Sequence, residues 1–379
     1  MELVIDRAAL LAGLALVQGI VERRNTVPIL GHVLIEAAGG AVKLSATDLE
    51  VGLRTTIDCR AGTGGTITLN ARKIFEIVRE TSSEEVSLKS LEGDWIELKC
   101  GRAKFKMMGL DPRSFPAMPG AGDSNSSQSG RKHARTDMNV EPAMLAAMID
   151  KTIFSVSPDE ARYNLSGVYV ESPEAGKVRM VATDGHRLSV VEREIAEFKM
   201  VGGVIIPRKG LAEMRKLLDQ QGGSEVKLTI ENNIASLSRG NTEISMRLVE
   251  GEFPDYKGVI PKQSKYKITL GRETLMAAVK RAAIFSNERY HGVKIGLSPD
   301  TLTVSSTSPE TGEASETVDV DFKGEDFSIG FNASYILQVL GVIASDGEAT
   351  LGLSDEVSPG VITTPSDSEF TYVVMPMRL

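Results

Sequence analysis

One order of signals occurs three times along this chain, and three copies of one unit constrain it to fold as three similar bodies rather than around one large core. Each copy opens with an amphipathic helix. The spacing predicts the first over 6–20 with Leu10, Leu14, Val17 and Val21 along one face. It predicts the second over 141–153 with Met144, Met148 and Ile149, and the third over 272–284 with Leu275, Val279 and Ala282. Strand-like runs follow, then a turn led by Thr: Thr47-Asp48-Leu49-Glu50, Thr183-Asp184-Gly185-His186 and Thr307-Ser308-Pro309-Glu310. A second helix begins near Asn70, Pro207 and Asn332. Its apolar positions are Ile74, Ile77 and Val78, then Leu211, Met214 and Leu218, then Ile336, Val339 and Leu340. Alternating strands close each copy, as in Val226, Leu228, Ile230 and in Ile244, Met246, Leu248. The pattern predicts an α+β fold, each domain with two helices on antiparallel sheet.

The copies end at Phe115-Pro116, at Phe253-Pro254-Asp255-Tyr256 and at Tyr372-Val373-Val374-Met375-Pro376. Domains are therefore expected at 1–120, 138–256 and 262–379. A length of 379 residues with 41% apolar content suits two or three such cores. The intervening 121–137 is rich in Gly and Ser and has no periodicity, so it reads as a flexible linker, its basic cluster Arg131, Lys132 and Arg135 solvated. The apolar run 10–21 is broken by Gly13, Gln18 and Gly19 and no cleavage pattern precedes it, which predicts neither leader nor membrane span and a cytoplasmic protein.

A net charge of −8 excludes a binder whose whole surface is basic, so any nucleic-acid contact must be segregated. The six helical segments carry an excess of about six cations, among them Arg7, Arg72, Lys73, Arg79, Lys151, Arg208, Lys209, Arg215, Lys216, Arg272, Lys280 and Arg281, while strands and loops hold the acids. No base-reading motif accompanies them, so contacts should go to phosphates. Catalytic readings find little. His186 lies beside Asp184, but no GxSxG elbow is present and His32, His133, His186 and His291 lack metal-ligand spacing. Cys59 and Cys100 read as reduced thiols. The run Gly62-Thr63-Gly64-Gly65 lacks the Lys-Ser/Thr ending of a phosphate loop and reads as a hairpin turn. Neither an enzyme, a cofactor nor a bound metal is expected.

Several strings resemble the bacterial beta sliding clamps, the beta subunits of DNA polymerase III. They are TVPILGHVLIEA (26–37), ATDLEV (46–51), ATDGHRLSV (182–190), IIPRKG (205–210), GEFPDY (251–256), AAIFSNERYHGV (282–293), the stretch 331–340 and YVVMPMRL (372–379). The resemblance covers nearly the whole chain. It implies a head-to-tail homodimeric ring of six similar domains, pseudo-sixfold, with helices lining the hole and sheets outside. It implies a processivity factor that encircles duplex DNA, independent of sequence, and tethers the DNA polymerase III alpha subunit, the clamp loader, and other polymerases and repair proteins. The alternative is a three-repeat peptide-binding adaptor that never encloses DNA.

The same resemblance implies a groove for short hydrophobic peptides at Leu165, Thr183, Gly185, His186, Arg187, Leu188, Pro254, Val259, Asn332, Tyr335, Val373, Met375, Pro376 and Met377. Adaptable Met beside Pro and Leu suits several related peptides. DNA contacts are expected at Arg24, Tyr163, Arg208, Lys209 and Arg215. The dimer interface is expected to join Lys73, Arg102, Lys104, Phe105 and Met107 of one copy to Ile284, Phe285, Glu310, Glu313 and Glu316 of the other, with Lys106 adding to the basic side. The chain departs from the family pattern at Gly258, where relatives carry an Arg, and at Asn164, where they carry a second Tyr.

Overall fold

The structure is a computed structural model. It describes residues 1–21, 26–120, 133–159, 161–196, 198–219, 226–310 and 312–379. Its helices are α1 (Arg7–Ile20), α2 (Ala71–Glu80), α3 (Pro142–Asp150), α4 (Arg208–Leu218), α5 (Arg272–Ala283) and α6 (Ala333–Gly341), two for each sequence copy. Local chemistry starts them where the pattern predicts. Asp6 accepts the Ala9 N–H at 2.8 Å ahead of α1, Asn70 accepts that of Lys73 at 3.0 Å ahead of α2, and Asn332 that of Ser334 at 2.8 Å ahead of α6. The expected apolar positions Leu10, Leu14 and Val17 on α1 and Leu275, Val279 and Ala282 on α5 are buried, while Ile20 is buried in place of the expected Val21, which is the half-buried C-cap of α1. Helix α3 stops at Asp150, short of the expected 153, and a 3-10 turn follows over Ile153–Ser155.

Some of the helical cations work inside the fold. Arg7 on α1 donates to the carbonyls of Val78 and Arg79, both at 2.9 Å, and Arg272 on α5 donates to that of Leu340 at 2.8 Å. Arg239 does the same for Leu217 and Leu218 on α4, at 2.8 and 2.7 Å. In each copy an arginine thus satisfies the orphan carbonyls at the end of the second helix.

The chain divides into two compact units, and they are not the sequence copies. Unit 1 holds 1–146 and 209–248, unit 2 holds 147–208 and 249–379. Unit 1 contains a five-stranded sheet in the order Arg60–Thr63, Glu2–Asp6, Glu85–Ser90, Trp95–Cys100, Ala103–Met108. Its eight-stranded sheet runs His133–Val140, Val226–Asn232, Ile234–Arg239, Thr242–Arg247, Val51–Asp58, Ala41–Thr47, His32–Ala38, Gly65–Asn70. Unit 2 has an eight-stranded sheet in the order Gly203–Pro207, Gly167–Glu171, Lys177–Thr183, Arg187–Glu194, Asp367–Val374, Gly360–Thr364, Glu348–Leu353, Tyr266–Gly271, and a four-stranded one. The middle copy is shared because its strands complete two different sheets. Thr242–Arg247 pairs with Val51–Asp58, and Arg187–Glu194 pairs with Asp367–Val374.

Two sequence expectations need correcting. The last part of the expected linker, 133–137, belongs to the strand His133–Val140, paired with Val226–Asn232. Thr136, Met138 and Val140 alternate there with polar neighbours, and this period sets the strand. Residues 121–132, including Arg131 and Lys132, lie outside the described residues. The Gly62–Gly65 run is not a hairpin turn, since Arg60–Thr63 and Gly65–Asn70 pair in different sheets and the chain changes sheet between them. Glycine is needed for the close approach: a Cβ at Gly64 would stand 2.8 Å from the Ala37 carbonyl oxygen. No described helix is long and apolar enough to cross a membrane.

Candidate partner-peptide pocket and nucleic-acid contacts

The Thr-led turn of unit 2 is built by its own side chains. Thr183 Oγ1 donates to the Arg187 carbonyl at 2.6 Å and accepts the Gly185 N–H at 3.1 Å. Asp184 Oδ1 accepts the N–H groups of His186 and Arg187 at 2.9 and 3.1 Å. The turn requires φ of +90° at Gly185, and a Cβ there would meet Arg162 Nη1 at 2.9 Å. The counterpart in unit 1 repeats the chemistry, with Thr47 Oγ1 on the Val51 carbonyl at 3.0 Å and Asp48 Oδ1 on the N–H groups of Glu50 and Val51. There the left-handed position is taken by Leu49 at +83°.

Arg187 leaves this turn as a buried pin. Its Nε donates to Asp184 Oδ2 at 2.9 Å, Nη1 to Gln338 on α6 and Nη2 to the Phe154 carbonyl, each at 2.5 Å, and its guanidinium lies 4.4 Å from the Tyr335 ring centre. Burial, with Asp184 close by, pushes the Tyr335 phenol up.

Next to the pin opens a cavity of about 300 Å³, lined by Leu165, Thr183, Gly185, Arg187, Leu188, Pro254, Asp255, Tyr256, Val259, Val373 and Met375. Its apolar wall belongs to a buried cluster of Val181, Leu188, Val190, Tyr256 and Val373, against which Tyr169, Phe253 and Ile260 are set. The rings of Tyr169 and Phe253 stack at 4.9 Å and 7°, and Phe253 meets Tyr256 edge-on at 6.4 Å. Burial and the Glu171 carboxylate push the Tyr256 phenol up, so it stays neutral. It donates to Glu171 and accepts from Arg179 Nη1 at 3.0 Å. The GEFPDY string thus folds into a wall anchored at Tyr256 and lipped by Pro254. A fit to a short apolar segment follows from size, apolar lining and a few polar groups at the rim.

Nine of the fourteen expected groove residues line this cavity, and it adds Asp255 and Tyr256, which the carried-over set lacked. The other five sit outside its lining. The His186 carbonyl accepts the Met375 N–H at 2.9 Å, and the Met377 N–H reaches the Gly330 carbonyl at 2.9 Å, so the tail is stitched down on both sides of Pro376. Asn332 caps α6 and also donates to the Tyr290 carbonyl at 3.2 Å, and Tyr335 carries the pin. Of the two departures, Asn164 donates to the Glu252 carbonyl at 3.0 Å and braces the GEFPDY loop, while a side chain at Gly258 would enter open space.

The expected DNA contacts differ among themselves. Tyr163 is 61% exposed, beside Gly251, and Arg208 is exposed at the first position of α4. Lys209 pairs with Asp48, whose carboxylate also closes the unit 1 turn, and Arg215 pairs with Asp219 one turn along α4. Arg24 lies outside the described residues, as does Arg23.

Of the expected interface residues, Lys104, Phe105, Lys106, Met107, Glu313 and Glu316 fall on two edge strands. Ala103–Met108 is the free edge of the five-stranded sheet, with Phe105 and Met107 on the face of Leu98 and Ile96, and Lys104 and Lys106 on the other. Lys104 reaches Glu97 at 2.5 Å, Lys106 lies over the Trp95 ring at 4.7 Å, Arg102 is exposed in the preceding turn, and Lys73 on α2 is 3.4 Å from Glu76. In unit 2, Gly312–Asp319 is one edge strand of the four-stranded sheet. Glu316 is already held there by a two-pronged pair with Arg281 on α5, whose hydrogen bond holds its carboxyl below the usual range. Glu313 and Glu310 stay exposed, as does Ile284 at 73%, and Phe285 is half-buried.

Three domain families match in order along the chain: the DNA polymerase III beta subunit N-terminal domain over 1–119, the central domain over 139–255 and the C-terminal domain over 257–378. The chain is 38% identical to the beta sliding clamp of Caulobacter vibrioides (strain NA1000 / CB15N) and 36% identical to that of Proteus mirabilis, in both cases over 100% of each chain. Among solved structures it resembles the beta sliding clamp of Caulobacter crescentus with a TM-score of 0.89 and 37% identity. It resembles the Pseudomonas aeruginosa sliding clamp bound to griselimycin with a TM-score of 0.90 and 35% identity, again covering 100% of each chain. With all three domains matched in sequence order and relatives aligned end to end, this chain belongs to the DNA polymerase III beta subunit family, the bacterial beta sliding clamps.

Proposed function

We infer that the chain acts as the replicative processivity clamp: two copies close head to tail into a ring around duplex DNA, and partner proteins dock by short hydrophobic peptides. The observation that carries the docking half is the 300 Å³ apolar cavity beside the Arg187 pin, formed by residues the family resemblance implied. A griselimycin-bound relative favours a ligand-accepting site in this family. The family's role is to tether polymerases rather than to catalyse, so DNA polymerase III, its loader and repair polymerases are the partner class, and the bacterial cytoplasm is where the chain works. The domains of this reading are 1–120, 138–256 and 262–379.

The opposite character of the two edge strands supports closure. A basic Ala103–Met108 edge with Phe105 and Met107 suits an acidic Gly312–Asp319 edge flanked by Ile284 and Phe285 of a second copy, extending both sheets across the joint. Tyr163 and Arg208 are the strongest remaining DNA contacts, because Lys209 is taken up by the buried side chain of Asp48 and Arg215 is paired along α4 with Asp219.

The docking test is a titration of a labelled Gln- and Leu-containing clamp-binding peptide against the full chain, a chain lacking 375–379, and Val259→Glu at the exposed lip. Removing one wall should weaken binding by more than about thirtyfold, roughly 2 kcal/mol. Melts and dimer content should stay near those of the full chain. Unchanged affinity in both variants would remove this cavity as the partner site.

A further inference from the structure

The registers of the two eight-stranded sheets allow the partner pocket of unit 2 to be located in unit 1. Leu188 pairs with Val373 and Val190 with Val181, and at the same steps after the Thr-Asp turn of unit 1, Gly52 pairs with Ser245 and Arg54 with Ser45. Counting from the Phe-Pro step, Met118 takes the place of Tyr256. The apolar set Val181, Leu188, Val190, Tyr256 and Val373 is thus replaced by Ser45, Gly52, Arg54, Met118 and Ser245. A bare Gly52 lets the Met118-Pro119 strap lie on the sheet, since a Cβ there would stand 2.6 Å from Met118 Cε and 2.8 Å from Pro119 Cδ. Ser245 Oγ fastens that strap by donating to the Pro119 carbonyl at 2.9 Å.

Beside the strap lies a cavity of about 600 Å³ whose lining includes Met118 and Ser245 together with Arg54, Ser236, Ser238 and Glu243. Lys227 and Arg135 also face it, but they are paired with two carboxylates, Asp137 at 2.9 and 3.4 Å and Glu231, itself in the lining, at 3.7 Å from Arg135. Arg54 differs. Among the described residues its Nε is buried without a hydrogen-bond partner, although Glu243 is its cross-strand neighbour and no ion pair forms between them. That Nε is closed to solvent, so a ligand would meet Arg54 by the part of its side chain that lines the cavity, and the planar fork of an arginine matches an oxyanion better than any other common group.

We propose that unit 1 carries, at the position homologous to the partner pocket, a second binding site whose ligand is an oxyanion, the carboxylate of an acidic peptide or a phosphate, received by Arg54 with Ser236 and Ser238 as neighbouring hydroxyl donors. Three-fold repetition supplies the concavity, and substitution of its apolar wall changes the ligand from a hydrophobic peptide to an anionic one.

The test uses the full chain at fixed ionic strength. A fluorescein-labelled Asp/Glu hexapeptide, its Asn/Gln analogue and inorganic phosphate are titrated against wild type, Arg54→Gln and Arg54→Lys, with the apolar clamp-binding peptide as a control for folding. Saturable binding of the acidic peptide or of phosphate is expected, weakened about tenfold or more in Arg54→Gln, intermediate in Arg54→Lys, and absent for the amide analogue. Binding of the acidic peptide that phosphate cannot displace assigns the site to a partner's carboxylates. Binding of phosphate by itself assigns it to free anions. Equal affinity in wild type and Arg54→Gln, or no binding of either anion by wild type, overturns the proposal, and the apolar peptide control separates that outcome from failure of the docking site in unit 2.

Discussion

At the scale of single residues, the chain places charge where it holds a shape. Asp367 is the clearest case: burial opposes its ionisation, but hydrogen bonds and charge from Arg193, at 2.6 Å, and from Lys151 outweigh this and hold its carboxyl below the usual range. A depressed carboxyl contributes stability that is present above the unfolded pKa of about 3.9 and lost as pH falls through the folded value. Asp367→Asn leaves two cations without their partner, so it should lower stability by about 2 to 4 kcal/mol at neutral pH. The gap between wild type and variant should hold above about pH 4 and shrink as pH falls below it, and urea midpoints along that series measure it. None of this triad was legible in the sequence, because its members are more than 170 positions apart for the Arg193–Asp367 pair and no local pattern announces them. The Thr-Asp turns were legible, since Thr47, Asp48, Thr183 and Asp184 form their bonds within four residues.

At the scale of elements, helix starts and apolar faces followed directly from caps and periodicity, as at Asp6, Asn70 and Asn332. Sheet membership did not. A strand such as Thr242–Arg247 carries its alternation openly, but its pairing with Val51–Asp58 of another copy is a long-range choice that period 2 cannot reveal. The same holds for Gly62–Gly65, where a turn signal marked a change of sheet. The candidate groove came from family strings rather than from chemistry; Leu188 and Val373 of that set line the cavity, while Tyr256, which also lines it, was passed over. The edges invite a direct test. Ile284→Asp with Phe285→Asp puts charge against the apolar part of the expected joint, on side chains that are exposed or half-buried in the single chain. Light scattering should then give a folded monomer of 40.8 kDa where the wild type gives a dimer, and a stable dimer of the variant would reject this joint.

At the scale of the whole molecule, a net charge of −8 must coexist with affinity for a polyanion. Internal use of Arg7, Arg239, Arg272, Lys209 and Arg215 shrinks the set of cations left for phosphates, which points to a weak, mobile contact suited to sliding rather than to a tight complex. Binding to short duplexes should therefore be indifferent to sequence and fall with salt. Tyr163→Ala with Arg208→Ala should lower affinity uniformly and flatten the salt slope by roughly one unit for the lost cation, as fluorescence anisotropy across a salt series would read. A marked preference for one sequence at fixed salt would contradict phosphate-only contact. Retention by topology rather than by affinity separates a ring from an adaptor that merely binds peptides. The direct measurement loads the labelled protein with a clamp loader and ATP onto a nicked circular plasmid, removes free protein by gel filtration, and follows the bound label before and after cutting the plasmid once. A closed clamp stays with the circle at a salt concentration that abolishes binding to short duplexes and is lost on linearisation. Equal retention on the circular and linear forms, or none on either, would contradict a ring that encloses DNA.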